Sequence, residues 1–114
     1  MNEEVERFIR GFKEKHENEV TDIFMHGYCY WFAFILSVRF NGTIFFCPDT
    51  VHFATHIKGQ IYDITGIVDT TGLHWYVWHD YLRMMYASGK EEDALAIIDM
   101  CINKDNVANK KNII

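Results

Sequence analysis

Val51-His52-Phe53-Ala54-Thr55-His56-Ile57, then Lys58-Gly59, then Gln60-Ile61-Tyr62-Asp63-Ile64-Thr65-Gly66-Ile67 is the stretch that decides the fold. Two runs rich in β-branched and aromatic residues flank a two-residue turn signal. That pattern predicts an antiparallel hairpin, with strands over 51–57 and 60–67. A turn at Lys58-Gly59 pairs Ile57 with Gln60, sets His56 opposite Ile61 and sets Ala54 opposite Asp63. Side chains alternate faces along a strand, so His52, Ala54 and His56 share a face with Ile61, Asp63 and Thr65. Asp63 then lies diagonal to both His52 and His56, within reach of either ring. A slip of one residue would part the faces.

Upstream, Thr43 to Cys47 is a short β-branched and aromatic run closed by Pro48-Asp49, and it reads as a further strand. Before it, Cys29 to Arg39 predicts a helix stopped at Asn41-Gly42. This helix is apolar on nearly all sides, which makes it the expected buried centre of the domain. Val5, Phe8, Ile9 and Phe12 mark one face of a first helix, with Glu3, Glu4 and Glu6 suited to its N-terminus. Downstream, Leu73 to Tyr86 and Lys90 to Ile102 predict two more helices, the second with Leu95, Ile98 and Ile102 on one face. The expected fold is α+β in the order α-α-β-β-β-α-α. A small antiparallel sheet of about three strands packs on the central helix.

The chain has 114 residues, 49% of them hydrophobic, enough for one domain with a real core. That domain is expected over 1–103, followed by a polar flexible tail over 104–114. The net charge is −5 without a Lys/Arg cluster, so no nucleic-acid partner is expected. The first residues are acidic rather than signal-like, and the longest apolar run, Tyr28 to Leu36, is far short of a membrane span. A cytoplasmic protein is expected. Three cysteines, an odd number, point to thiols rather than a disulfide framework. No Cys-x-x-Cys occurs, and on one strand His52 and His56 would stand about 13 Å apart. Neither a metal nor another cofactor is expected.

Cys29 is the thiol with chemical promise. It sits at the predicted start of the buried helix, where the dipole favours a thiolate and unpaired backbone N–H groups can hold an oxyanion. A cysteine there can equally be a small core hydrophobe. The hairpin adds a histidine beside a carboxylate, the pairing that lets an imidazole take a thiol proton and return it to a leaving group. His56 is the rival to His52. His26 and Tyr28 precede or flank the thiol and can line a site, or belong to an ordinary loop. Trp75 and Trp78 share a predicted helix face with His79, as a wall of a substrate cleft or as core aromatics. Cys47 and Cys101 read as structural.

Three segments carry a family likeness: Gly27-Tyr28-Cys29-Tyr30-Trp31-Phe32-Ala33, then His52-Phe53-Ala54, then Tyr62-Asp63-Ile64-Thr65-Gly66. Their order, over about residues 20–67, resembles the papain-like cysteine hydrolase superfamily, in particular its small NlpC/P60-type and transglutaminase-like members. The resemblance implies Cys29 as nucleophile, His52 as its base and Asp63 as the third member. The glutamine that often precedes the cysteine in such enzymes is missing, since the chain's one glutamine is Gln60. The implied activity is a thiol hydrolase or acyl-transfer enzyme acting on a peptide, protein or small amide or ester substrate. The rival expectation is a non-enzymatic binding or inhibitor module on the same fold, of mobile-element origin.

Overall fold

The computed structural model describes residues 2–16, 24–25 and 28–102. The expected 104–114 tail and His26 lie outside the described residues. The first helix, α1, spans Glu3–His16 and buries Val5 and Ile9, with Phe8 and Phe12 partly covered, as the spacing predicts. Asn2 caps it: its side-chain oxygen accepts from the backbone N–H groups of Glu4 and Val5 at 3.1 and 3.3 Å.

The second helix, α2, spans Cys29–Phe40. Asn41 closes it in the left-handed region (φ 54), and the Gly42 N–H donates to the Ser37 carbonyl at 3.1 Å. Gly42 is needed for space rather than for its φ: a Cβ there would stand 2.7 Å from Thr55 and 2.8 Å from Ile57. The helix divides the core. Phe32 and Leu36 pack with Val5, Ile9, Ile57, Tyr62 and Ile64. Cys29 and Ala33 pack with Phe46, Phe53, Trp78 and Cys101. The helix is not buried all round as expected, because Phe34 and Val38 on its outer side are exposed.

Five strands follow, β1 Thr43–Cys47, β2 His52–Ile57, β3 Gln60–Asp63, β4 Gly66–Ile67 and β5 Tyr76–Val77. They form one antiparallel sheet in the order β4-β3-β2-β1-β5. Lys58 and Gly59 both have positive φ (47 and 87), the signature of a tight hairpin turn, and Ile57↔Gln60, His56↔Ile61 and Thr55↔Tyr62 pair as the turn dictates. The Thr55 hydroxyl donates to the Ala33 carbonyl at 2.7 Å, fastening β2 to α2 where neither group meets water.

Three expectations are corrected. The 60–67 run is not one strand: it breaks after Asp63, and Gly66 (φ 107) turns the chain back as β4. The Leu73–Tyr86 helix starts only at Trp78, because Tyr76 and Val77 pair with Phe46 and Phe45 as an edge strand. The sheet therefore has five strands rather than three. After α3, Trp78–Ala87, and α4, Glu91–Ile97, the last stretch widens into a π-helical turn, Ile98–Ile102. Ala94 of α4 and Cys101 of this turn face inward, and Leu95, expected on the inner face with Ile98 and Ile102, is exposed.

Candidate functional site

His52 is the first residue of β2 and pairs across the sheet with Cys47, the last of β1. The loop joining them ends at Val51, whose φ of 51 is a strained position for a β-branched residue. Asp63 closes β3. Its Oδ2 accepts a hydrogen bond from His52 Nε2 at 2.9 Å, and its Oδ1 accepts from the Thr65 N–H at 2.7 Å and from the Thr65 hydroxyl. Both oxygens are thus engaged, and the side chains are nearly closed to solvent, 12% exposed for His52 and 7% for Asp63. Burial works against the Asp63 charge, yet the bonds from His52 and Thr65 outweigh it and hold the carboxyl below its ordinary range.

Cys29 is the first residue of α2, at the positive end of the helix dipole. Tyr28, at the N-cap position and half-buried, supplies no side-chain cap. The sulfur is lowered from an ordinary 9.0 to about 4. The largest cause is a hydrogen bond from the Cys101 thiol; burial opposes it, and His52 and the Phe53 backbone N–H add further bonds. His52 is raised from 6.5 to about 9: burial opposes the charge, and the bonds to Asp63 and Cys29 overcome it. With Nε2 engaged by Asp63, Nδ1 is the ring nitrogen left for the thiol. Each of the two groups thus favours the charged form of the other, the direction of a thiolate–imidazolium pair.

The remaining sequence candidates are distributed as follows. The Trp75 ring stands edge-on to His52, with centroids 6.3 Å apart, and its buried indole N–H has no partner among the described residues. Trp78 lies in the core against Phe46 and Phe53, not on an open wall, and shares no helix with Trp75. His56 stacks on Phe45 with centroids 5.2 Å apart, while Asp63 takes His52. Two contributors were missed. Thr65 was placed on the right face but given no part. Cys101 lies 72 positions beyond Cys29, and inside the last expected helix it reads only as structural. Among the described residues no group of three or more His, Cys, Asp or Glu is placed to hold a metal, and no helix is long and apolar enough to cross a membrane.

A second histidine–aspartate pair sits nearby. Asp49 Oδ2 accepts from the His74 backbone N–H at 2.7 Å, meets His74 Nδ1 at 3.1 Å and accepts from Cys47 Sγ at 3.8 Å. It ties the loop before Trp75 to the turn before His52.

The family described as "Phage YunG-like protein" matches residues 5–105. The match covers most of the chain, and the protein belongs to that family. This overturns membership of the papain-like cysteine hydrolase superfamily, which the three short segments suggested. A cysteine at a helix start and a His/Asp hairpin are local solutions that unrelated chains can reach. No curated protein matches the chain. No solved structure matches it.

Proposed function

We propose that this protein is a thiol-dependent acyl-transfer enzyme acting on an amide, isopeptide or ester carbonyl. The observation that carries the reading is the buried His52–Asp63 pair, with His52 Nε2 at 2.9 Å from Asp63 Oδ2 and Cys29 as the further partner that favours the charged His52 ring. In this reading the Cys29 thiolate attacks the carbonyl carbon, and the Cys29 backbone N–H receives the developing oxyanion, since the Trp31 and Phe32 N–H groups already donate to the Tyr28 carbonyl. His52 gives its Nδ1 proton to the leaving amine or alkoxide as the carbon–heteroatom bond breaks, leaving a thioester. Water or an acceptor amine then loses a proton to His52, attacks the thioester and expels the thiolate. Asp63 holds the ring's tautomer and its positive charge.

One observation favours a second reading, a binding module with a structural thiol: Cys29 is only 5% exposed. The pH dependence of iodoacetamide labelling at each cysteine of the folded chain, with a His52→Ala variant alongside, decides between them. The enzyme reading expects fast Cys29 labelling at pH 6 that the variant loses. Labelling no faster than an ordinary thiol, or protection until unfolding, overturns it.

A further inference from the structure

The acyl-transfer chemistry needs one sulfur, and the structure supplies two. Cys101, in the π-helical turn, belongs to the same buried cluster as Cys29, and its thiol is within hydrogen-bonding reach of the Cys29 sulfur. Residues of α2 and of the turn have Cα atoms within 8 Å of one another. The Trp31 indole N–H donates to the Ile102 carbonyl at 3.0 Å, fastening the turn next to Cys101 onto the helix that begins with Cys29. Neither cysteine is in a disulfide. The third, Cys47, lies on β1 against Asp49, outside this cluster.

We propose that Cys29 and Cys101 form a peroxide-sensitive dithiol site, at which a hydroperoxide converts the two thiols into a disulfide. The Cys29 thiolate attacks one peroxide oxygen, and the O–O bond breaks. The sulfur becomes a sulfenic acid, and the departing oxygen takes a proton from the His52 imidazolium. The Cys101 sulfur then attacks the sulfenic sulfur. The S–O bond breaks, and the leaving hydroxide takes the Cys101 proton as water. The two sulfurs lose two electrons in all, and the peroxide gains two. A disulfide needs Cα atoms about 4.4–6.8 Å apart, and the Trp31–Ile102 bond holds the turn that carries Cys101 against the helix that begins with Cys29. The disulfide removes the nucleophile reversibly. That consequence for turnover rests on the proposed function, whereas the disulfide itself does not.

The test treats the full chain with hydrogen peroxide, then denatures it, alkylates without reduction and maps the cysteines by peptide mass spectrometry. Alkylatable cysteines should fall from three to one, leaving Cys47, and a Cys29–Cys101 linked peptide should appear and vanish with dithiothreitol. A Cys101→Ala variant should give no linked peptide and carry Cys29 on to the sulfinic acid. A Cys29–Cys47 link, links only between chains, or three alkylatable cysteines after peroxide would overturn the proposal. The labelling experiment separates the two readings. If Cys29 reactivity ignores His52 while the intrachain disulfide forms, the enzyme reading fails and the dithiol site stands. If reactivity depends on His52 and no disulfide forms, the reverse holds.

Discussion

Among the described residues two histidine–aspartate pairs have nearly the same length, and they sit in opposite surroundings. His52 and Asp63 meet at 2.9 Å with side chains 12% and 7% exposed, while His74 and Asp49 meet at 3.1 Å with 71% and 38% exposed. In the buried pair the bonds overcome desolvation and lift His52 to about 9. In the open pair the His74 backbone N–H, against a small cost of burial, is the main cause holding the Asp49 carboxyl low, so the carboxylate acts chiefly as a loop clip. Length alone does not make a histidine–aspartate pair a chemical device. Exclusion of water and a third partner do, and Cys29 supplies that partner only at the buried pair.

The largest difference should come from removing each imidazole in turn. His52→Ala should slow Cys29 alkylation at pH 6, and any acyl transfer, by about 10²–10⁴-fold, the usual worth of a positioned acid–base group. His74→Ala should leave both rates within about twofold, since an exposed pair adds little. Equal losses from the two variants, read by the same peptide mapping, would break the comparison.

Next in size is the response to pH. The folded Cys29 value is lowered, so its stabilisation is fully present above 9.0 and is lost as pH falls through about 4. The folded His52 value is raised, so its stabilisation is fully present below 6.5 and is lost as pH rises through about 9. Between about 4 and 6.5 the thiol alone of this pair contributes a slope, and stability should climb as pH rises. Between 6.5 and 9 the two slopes oppose and should cancel. Urea denaturation across pH should show this climb and plateau in the native chain, and a Cys29→Ser variant should lose the thiol's share of the climb. The same climb in the serine variant would place its origin in a group other than the Cys29 thiol.

How much of this was readable follows from what is local. Lys58-Gly59 sets the hairpin register through its own backbone preference, and the period of two then carries His52 to Asp63 without further information. The α1 face was legible for the same reason, as a repeat of 3.6. What escaped is non-local or too short to be periodic. Tyr76 and Val77 form a strand only because β1 offers an unpaired edge, and two residues show no period. The aromatic run around them therefore read as helix. The split of 60–67 hung on Gly66, which resembles any glycine inside a strand until its φ is known. Cys101 reaches Cys29 through a π-helical turn, and a π-turn shifts the face that a regular helical repeat predicts.

The smallest expected effect tests what joins the two pairs. Asp49 and His52 stand on either side of Val51, a β-branched residue in the left-handed region. That conformation costs about 1–2 kcal/mol for a residue with a Cβ, and a glycine there would relieve it while loosening the unfolded chain by about 0.5–1 kcal/mol. Val51→Gly should therefore stabilise the protein by about 0–1.5 kcal/mol in urea denaturation. It should also free the start of β2, so that His52 holds its place against Asp63 less firmly and Cys29 alkylation at pH 6 slows severalfold, while the exposed His74–Asp49 clip stays as it is. Higher stability joined to slower alkylation would mean that the strained residue positions the buried pair. Higher stability with unchanged alkylation would mean that the Asp63–Thr65 bonds alone position His52, and that the strain at Val51 serves only to close the turn.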